Sequence, residues 1–257
     1  MKFFKEIYKY RELLKTNIKK EIRGKYKGSW LGVLWTFLNP LLMLVVYSFV
    51  FPYILRVDVE NYTMFMMIAL VPWTFFTTAI QTGCGCVVAN GNILKKVYFP
   101  REIVPMSVVI SALINFLITC IIMFLFIIFT GLGFSKYLLF FPVIVLIETI
   151  IILGFTFLLS AITVFVRDVD HFVSIFLMLA FYITPIVYTP DLLPAKFKWV
   201  LKANPMASII NSFREILYYK TLPDLSTLAY LATGGILFAV VTYLLFKKLE
   251  KKFVEEL

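Results

Sequence analysis

Residues 94–105, with the sequence LKKVYFPREIVP, carry four charged side chains between two long apolar runs. Pro100 and Pro105 close the stretch, and each proline fixes its own φ angle and restricts the residue before it. The segment is therefore predicted to be a short, stiff connection between two helices. Its position decides how the apolar runs on either side are arranged.

The composition of the chain is that of a membrane protein. Of 257 residues, 61% are apolar and only 16% are charged, whereas a soluble domain carries about 25% charged residues. Several apolar stretches exceed the roughly 20 residues that a helix needs to cross about 30 Å of hydrocarbon. The chain is predicted to be an all-α integral membrane protein, with residues 1–257 forming one transmembrane domain.

Six apolar runs are predicted to be transmembrane helices. They occupy residues 31–53, 63–88, 103–130, 138–166, 172–188 and 228–246. An even number of spans places both termini on the same side of the membrane. That side holds ten Lys and Arg residues before residue 31, three after the second span, one after the fourth and four at the C-terminus, which is 18 of the 25 in the chain.

Because positively charged flanks stay in the cytoplasm, both termini are predicted to be cytoplasmic. Residues 92–102 then form a cytoplasmic coupling segment, and the predicted location is the cytoplasmic (inner) membrane.

Residues 1–29 form an element of their own. Phe3, Ile7, Leu14, Ile18 and Ile22 recur at helical spacing among lysines and glutamates. This pattern predicts a basic amphipathic helix on the inner leaflet, with its lysines toward anionic headgroups. The alternative is a charge cluster that only sets topology, and nucleic acid is not predicted as a partner.

Residues 189–226 are predicted to lie on the outer side as two short amphipathic helices. Asn204 and Pro205 give a helix start, with the asparagine as N-cap and the proline in the first turn. Ile209, Phe213 and Ile216 then share one face. These helices are either an outer gate, with Trp199, Phe213 and Arg214 as its residues, or a packed loop.

Catalytic chemistry is not indicated by any motif. The chain has one histidine and no glycine-rich phosphate loop, so it is not predicted to bind ATP or to be an enzyme. His171 stands beside Asp168 and Asp170, which could suggest a metal site, but aspartates at a helix start are predicted to cap it. Cys84, Cys86 and Cys120 are predicted to be packing residues, and no metal site is expected.

Glu148 is the acidic residue that falls inside a predicted span. A charge buried in a membrane is costly and is usually kept for a function. An ion-coupled secondary transporter centred on Glu148 is therefore the alternative function. A proton relay would need partners, however, and no basic residue falls inside any span.

The remaining source of energy is a cytoplasmic motor that grips the protein from outside the membrane. Its handle should be short, charged and aromatic, since aromatic anchors dominate interface energetics. Residues 92–102 fit this description. The predicted docking residues are Lys95, Lys96, Val97, Tyr98, Phe99, Arg101 and Glu102.

Two longer stretches resemble one known family. Residues 25–51, KYKGSWLGVLWTFLNPLLMLVVYSFVF, and residues 93–107, ILKKVYFPREIVPMS, are similar to segments of type-2 ABC transporter permeases that export polysaccharides such as O-antigen, teichoic acid and capsule. FVRDVDHFV (residues 165–173) and NPMASIINSFREILY (residues 204–218) lie where that family carries comparable segments.

The resemblance implies a half-transporter that forms a homodimer and binds two copies of a separate ATPase subunit. ATP and magnesium would be bound by that partner, and a lipid-linked polysaccharide would be the cargo. In the family, the segment matching residues 92–101 docks into a groove of the ATPase.

A glycan path is predicted along aromatic stripes, because sugar rings present C–H faces to aromatic planes. In the first span, Trp35, Asn39, Tyr47 and Phe51 lie on one face, and Phe172, Phe176 and Tyr182 lie along the fifth. The alternative is that these aromatics face lipid or mark the membrane interfaces.

Overall fold

The computed structural model describes residues 8–26, 30, 32–35, 38, 41–43, 45–46, 49–50, 59–192, 194, 196 and 198–257. These residues form helices and no strands, so the all-α prediction is confirmed for this part of the chain. The α-helices are α1 (Arg11–Tyr26), α2 (Tyr62–Cys84), α3 (Cys86–Ala89), α4 (Gly91–Lys96), α5 (Ile103–Phe129), α6 (Phe141–Phe165), α7 (Val169–Ile183), α8 (Lys198–Ala203), α9 (Pro205–Arg214), α10 (Leu225–Leu249) and α11 (Phe253–Glu256).

Shorter turns of helix extend or connect these elements. They are the 3-10 turns Gly32–Leu34, Lys136–Phe140, Pro190–Leu192 and Glu250–Lys252, and the π-turn Glu215–Tyr219.

Four helices in the described part are long and apolar enough to cross a membrane. They are Tyr62–Cys84, Ile103–Phe129, Lys136–Phe165 and Leu225–Glu256. Eleven of the 23 residues of the first predicted span, residues 31–53, fall outside the described residues. The prediction of several membrane-crossing helices is confirmed by these four.

The fifth predicted span corresponds to α7, which is shorter than expected. The helix ends at Ile183, and Thr184 is extended with ψ 134. Pro185 explains this end, because a proline disfavours the helical conformation of the residue before it. The 15 residues of α7 rise about 22 Å, which is less than the hydrocarbon thickness.

Helix α2 lies at the centre of the bundle. It packs against α5, α6, α7 and α9, and Met64, Phe65 and Ile68 are completely buried. Helix α10 lies at the periphery, where it packs along α6.

Glycines bring the membrane-crossing helices together, as membrane helices require when water does not drive their association. A Cβ at Gly154 would lie 2.6 Å from a ring carbon of Phe238, and one at Gly83 would lie 2.5 Å from Cγ2 of Thr156. These contacts bring α2 and α10 close to α6. The cysteines are buried and free.

The docking segment, helix α1 and the C-terminal residues meet at one end of the bundle. A second apolar cluster at this end contains Leu94, Phe99 and Phe253, and Leu13 and Leu14 of α1 pack against it. Lys20 also donates a hydrogen bond to the side-chain oxygen of Asn90, at 2.7 Å. The apolar face of α1 is therefore half-buried against the protein, which limits how much of it a membrane can contact.

Candidate functional site

The docking segment consists of α4 followed by a short extended stretch. Helix α4 ends at Lys96, and the backbone N–H of Val97 donates to the carbonyl of Ile93. Val97 is extended, with φ -129 and ψ 130, and residues 98–100 belong to no helix. Helix α5 begins at Ile103, so the segment connects two helices within six residues.

One side of this segment faces solvent. Lys95 and Lys96 are exposed, and the exposed fractions of Val97 and Tyr98 are 57% and 91%. We call these four residues the docking edge. Together they present two positive charges and one aromatic ring to the solvent at this end of the bundle.

Three residues predicted to contact a partner are instead turned inward. Phe99 is 6% exposed and Glu102 is completely buried, and Arg101 is half-buried. Phe99 packs in the apolar cluster with Ile103 and Val104. The sequence could not separate the two sides, because alternation in an extended stretch shows that neighbours point opposite ways but not which way is out.

The inward side chains join the segment to the C-terminal end of α10. The Nζ of Lys247 lies 2.9 Å from Oε2 of Glu102 and 3.0 Å from Oε1 of Glu250. Arg101 donates a hydrogen bond to the backbone carbonyl of Glu250, and its guanidinium lies 5.9 Å from the ring centroid of Phe253. We call these five residues the clasp. Since the docking edge precedes Arg101 and Glu102 by only a few residues, it lies next to a region that is held by α5, α10 and α11.

The predicted outer gate residues also divide into one exposed and two buried side chains. Trp199 is 66% exposed, while Phe213 and Arg214 are 0% and 1% exposed. The guanidinium of Arg214 donates to the carbonyls of Pro185 and Ile186, at 2.6 and 2.7 Å. Burial lowers the pKa of Arg214 to about 9, so the side chain keeps its charge at neutral pH.

Arg214 therefore fastens α9 to the residues after α7, and it also lies 3.5 Å from the ring centroid of Phe65 in α2. The ring of Phe213 packs 5.5 Å from that of Phe141 in α6. The N-cap predicted at Asn204 is present, since its side chain accepts a hydrogen bond from the N–H of Met206, at 3.0 Å. The face predicted for α9 is buried as well, with Ile209 and Ile216 at 0% and 1% exposed.

The predicted aromatic path is only partly described. Asn39, Tyr47 and Phe51 lie outside the described residues, and Trp35 is 47% exposed. Phe172, Phe176 and Tyr182 of α7 are 63–70% exposed on the surface of the bundle.

A groove of about 570 Å³ lies between α2 and α7. Tyr182 lines it, whereas Trp35, Phe172 and Phe176 do not. The lining is formed by Met43, Leu70, Trp73, Thr74, Thr77, Thr78, Gln81, Thr82, Ser174, Leu177, Met178, Phe181 and Tyr182.

The polar residues of α2 in this groove were not predicted. Thr74, Thr77, Thr78, Gln81 and Thr82 follow at helical spacing, so they share one face. The pattern WTFFTTAIQT contains the signal, because five polar side chains on one face of an otherwise apolar span need a polar surrounding. The path for the glycan was predicted from aromatic residues, and those residues lie on other segments than α2.

Asp170 is hydrogen-bonded at one end of the groove. Its Oδ1 accepts from the side-chain nitrogen of Gln81, at 3.1 Å. Asp168 takes the N-cap position of α7, but its side chain makes no capping hydrogen bond, so the predicted cap is wrong in its side-chain role. Within the described ranges, no three or more His, Cys, Asp or Glu residues come together to hold a metal.

Glu148 is completely buried in the second turn of α6. Neither carboxylate oxygen has a hydrogen-bond partner among the residues that the structure describes. The chain of partners that a proton relay requires is thus not found around it in this part of the protein.

Comparison with known proteins identifies the family. Residues 12–218 match the family described as ABC-2 type transporter. A protein of Klebsiella pneumoniae named O-antigen export system permease protein RfbA is 36% identical over 245 residues, which cover 95% of this chain and 94% of the relative. A protein of the same name from Myxococcus xanthus is 34% identical over 259 residues and covers both chains completely. The chain therefore belongs to the ABC-2 type transporter family, as a membrane-spanning transport subunit.

Proposed function

We propose that this protein is the membrane-spanning subunit of an ABC exporter that moves a lipid-linked polysaccharide of the O-antigen type across the cytoplasmic membrane. It forms a homodimer and associates with two copies of a separate ATPase subunit, which binds ATP and magnesium. Both termini are cytoplasmic. The relatives are named O-antigen export permeases, which supports a polysaccharide cargo and transport out of the cell.

The docking edge is the observation that carries the proposal. Lys95, Lys96 and Tyr98 are exposed on a short segment, and the clasp ties this segment to α5 and α10. A partner that pushes on the edge therefore moves two membrane-crossing helices at once. We restrict direct contact with the ATPase to the docking edge, because Phe99, Arg101 and Glu102 already have partners inside the protein.

The homodimer is supported by the position of α7. Phe172, Phe176 and Tyr182 form an exposed aromatic face, and Tyr182 also borders the groove. A second copy placed against this face would cover the open side of the groove. The combined space would then be a conduit with aromatic walls, which suits a sugar chain that must slide.

The experiment compares a triple variant of the docking edge with a control variant at the other end of α5. The variant Lys95→Glu/Lys96→Glu/Tyr98→Ala is expected to lose association with the ATPase subunit and to lose ATP-driven export, because both charges and the anchor of the interface are reversed or removed. Co-purification of the two subunits and export into proteoliposomes measure the two effects. The thermal stability of the variant should stay that of the wild type, since the edge is exposed.

The matched control is Phe129→Ala. Phe129 is 84% exposed at the other end of α5, so its removal should change neither association nor export. If the triple variant still co-purifies with the ATPase subunit and exports normally, the docking assignment is wrong.

A further inference from the structure

The polar stripe of α2 gives the groove a defined chemistry. Thr74, Thr77, Thr78, Gln81 and Thr82 extend over about 12 Å along the helix axis, at 1.5 Å per residue. The groove volume of about 570 Å³ lies within the range of about 300–1,000 Å³ that is usual for ligand sites.

The stripe presents mainly hydrogen-bond acceptors. The hydroxyl of Thr74 donates to the carbonyl of Val71, at 2.8 Å, and that of Thr77 donates to the carbonyl of Trp73, at 3.0 Å. Each hydroxyl oxygen keeps its acceptor capacity, because a hydroxyl donates once and accepts twice. The side-chain nitrogen of Gln81 donates to Asp170, which leaves the amide oxygen as an acceptor. Thr78 and Thr82 add two hydroxyls that can donate as well as accept, so a ligand whose own hydroxyls do both fits this surface.

Aromatic and apolar side chains form the remaining wall. The rings of Trp73 and Phe181 are 6.0 Å apart, and Tyr182, Leu177 and Met178 lie beside them. A wall of this kind matches the C–H faces of sugar rings, while sugar hydroxyls supply the donors that the stripe needs.

The segments that border the groove carry almost no charge. Helix α2 contains no charged residue at all, and the lining residue Met43 is apolar. Helix α7 has only Asp170 and His171, both in its first turn. An anionic sugar in the groove would lack a cation from these segments and would approach the carboxylate of Asp170. Desolvating an unpaired charge in a membrane is costly.

We propose that the groove between α2 and α7 is a binding site for uncharged, hydroxyl-bearing sugar units and that it discriminates against sugars with carboxylate or phosphate groups. The inference deepens the proposed function, on which it rests for the identity of the cargo. The exported glycan is accordingly neutral along the part that passes α2.

Equilibrium dialysis with the purified full chain in detergent tests the site without the ATPase subunit. The two probes are labelled maltohexaose and the same oligosaccharide with its primary hydroxyls oxidised to carboxylates. The neutral probe is expected to bind at least about tenfold more tightly than the anionic probe, a difference that corresponds to one unpaired polar group. Equal affinity for the two probes, or no binding of either, overturns the proposal.

Two variants assign the binding to the stripe. Thr77→Val/Thr78→Val is expected to weaken binding of the neutral probe by about tenfold, since two acceptors are lost. Thr78→Lys should strengthen binding of the anionic probe by about tenfold, because it adds a charge-assisted hydrogen bond. Thr233→Val is the matched control, since that hydroxyl donates to a carbonyl one turn earlier in the same way, at 2.8 Å, on the exposed face of α10.

Unchanged affinity in both groove variants overturns the assignment. The outcome is separable from the proposed function. Oligosaccharide binding without ATP-driven export would contradict the exporter and leave the groove site standing. Export without any binding to the groove would contradict the groove site and leave the exporter standing.

Discussion

Glu102 and Glu148 are both completely buried, yet their surroundings are different. At the end of the bundle that holds the docking segment, Oε2 of Glu102 lies 2.9 Å from Nζ of Lys247. In the N-terminal half of α6, both oxygens of Glu148 lack partners among the described residues. The first carboxylate connects residues 145 positions apart in the chain, while the second connects nothing that the structure describes.

This difference indicates that a buried ion pair has a structural role at Glu102 and not at Glu148. A buried ion pair is specific in geometry, and removing one partner leaves the other uncompensated. The clasp therefore fixes the docking segment relative to α10 at the end where force is proposed to enter. Glu148, in contrast, has no neighbouring cation in the described bundle that could exchange a proton or an ion with it.

The largest expected effect comes from removing the cation of the clasp. Lys247→Met keeps the side-chain length and leaves Glu102 buried without a charge partner, which should lower the free energy of unfolding by about 3 kcal/mol. Equilibrium unfolding in mixed micelles measures the loss. Export should fall together with stability, because the docking segment loses its attachment to α10.

Lys248→Met is the matched control, since Lys248 is the next residue and is exposed; it should leave stability unchanged. The double variant Glu102→Gln/Lys247→Met should recover most of the loss, to within about 1 kcal/mol of the wild type, because no buried charge remains. A double variant as unstable as Lys247→Met alone would show that packing, not charge, holds the clasp.

A smaller effect of opposite sign is expected at Glu148. Glu148→Met replaces two unpartnered oxygens by an apolar side chain of similar volume, which should raise the free energy of unfolding by about 1 kcal/mol. The same unfolding measurement applies. A loss of stability would mean that Glu148 has a polar partner contributed by residues outside the described ranges or by a second copy.

The smallest effect is expected when Glu148 keeps its shape and loses its acidity. Glu148→Gln should leave ATP-driven export within about twofold of the wild type, because the proposed exporter does not use Glu148 to transfer protons. A twofold change in rate corresponds to a barrier change below about 0.5 kcal/mol. Export into proteoliposomes with the ATPase subunit measures this. Abolished transport, or transport driven by a proton gradient in the isolated wild-type chain, would favour the ion-coupled carrier instead.

Local patterns in the sequence predicted those features that depend on a few adjacent residues. Long apolar runs predicted the membrane-crossing helices, and Asn204 followed by a proline predicted the start of α9 with its side-chain cap. The spacing of Ile209 and Phe213 predicted the buried face of that helix. Each of these follows from helical periodicity or capping chemistry within one or two turns.

The side-chain directions within the docking segment were not predicted. Docking itself stays a prediction, but Phe99, Arg101 and Glu102 have partners inside the protein that no local pattern indicates. The groove lining on α2 was missed, because a row of threonines in a span acquires its meaning only when α7 lies beside it.

The sequence by itself determined that this chain crosses a membrane as helices and that it carries one short, charged and aromatic segment between two of them. Only the tertiary structure decided which half of that segment is exposed and which polar face borders a groove. The reason is physical: the period of a helix or strand defines its faces, but burial depends on contacts with residues far away in the chain, such as Lys247 for Glu102 and Asp170 for Gln81.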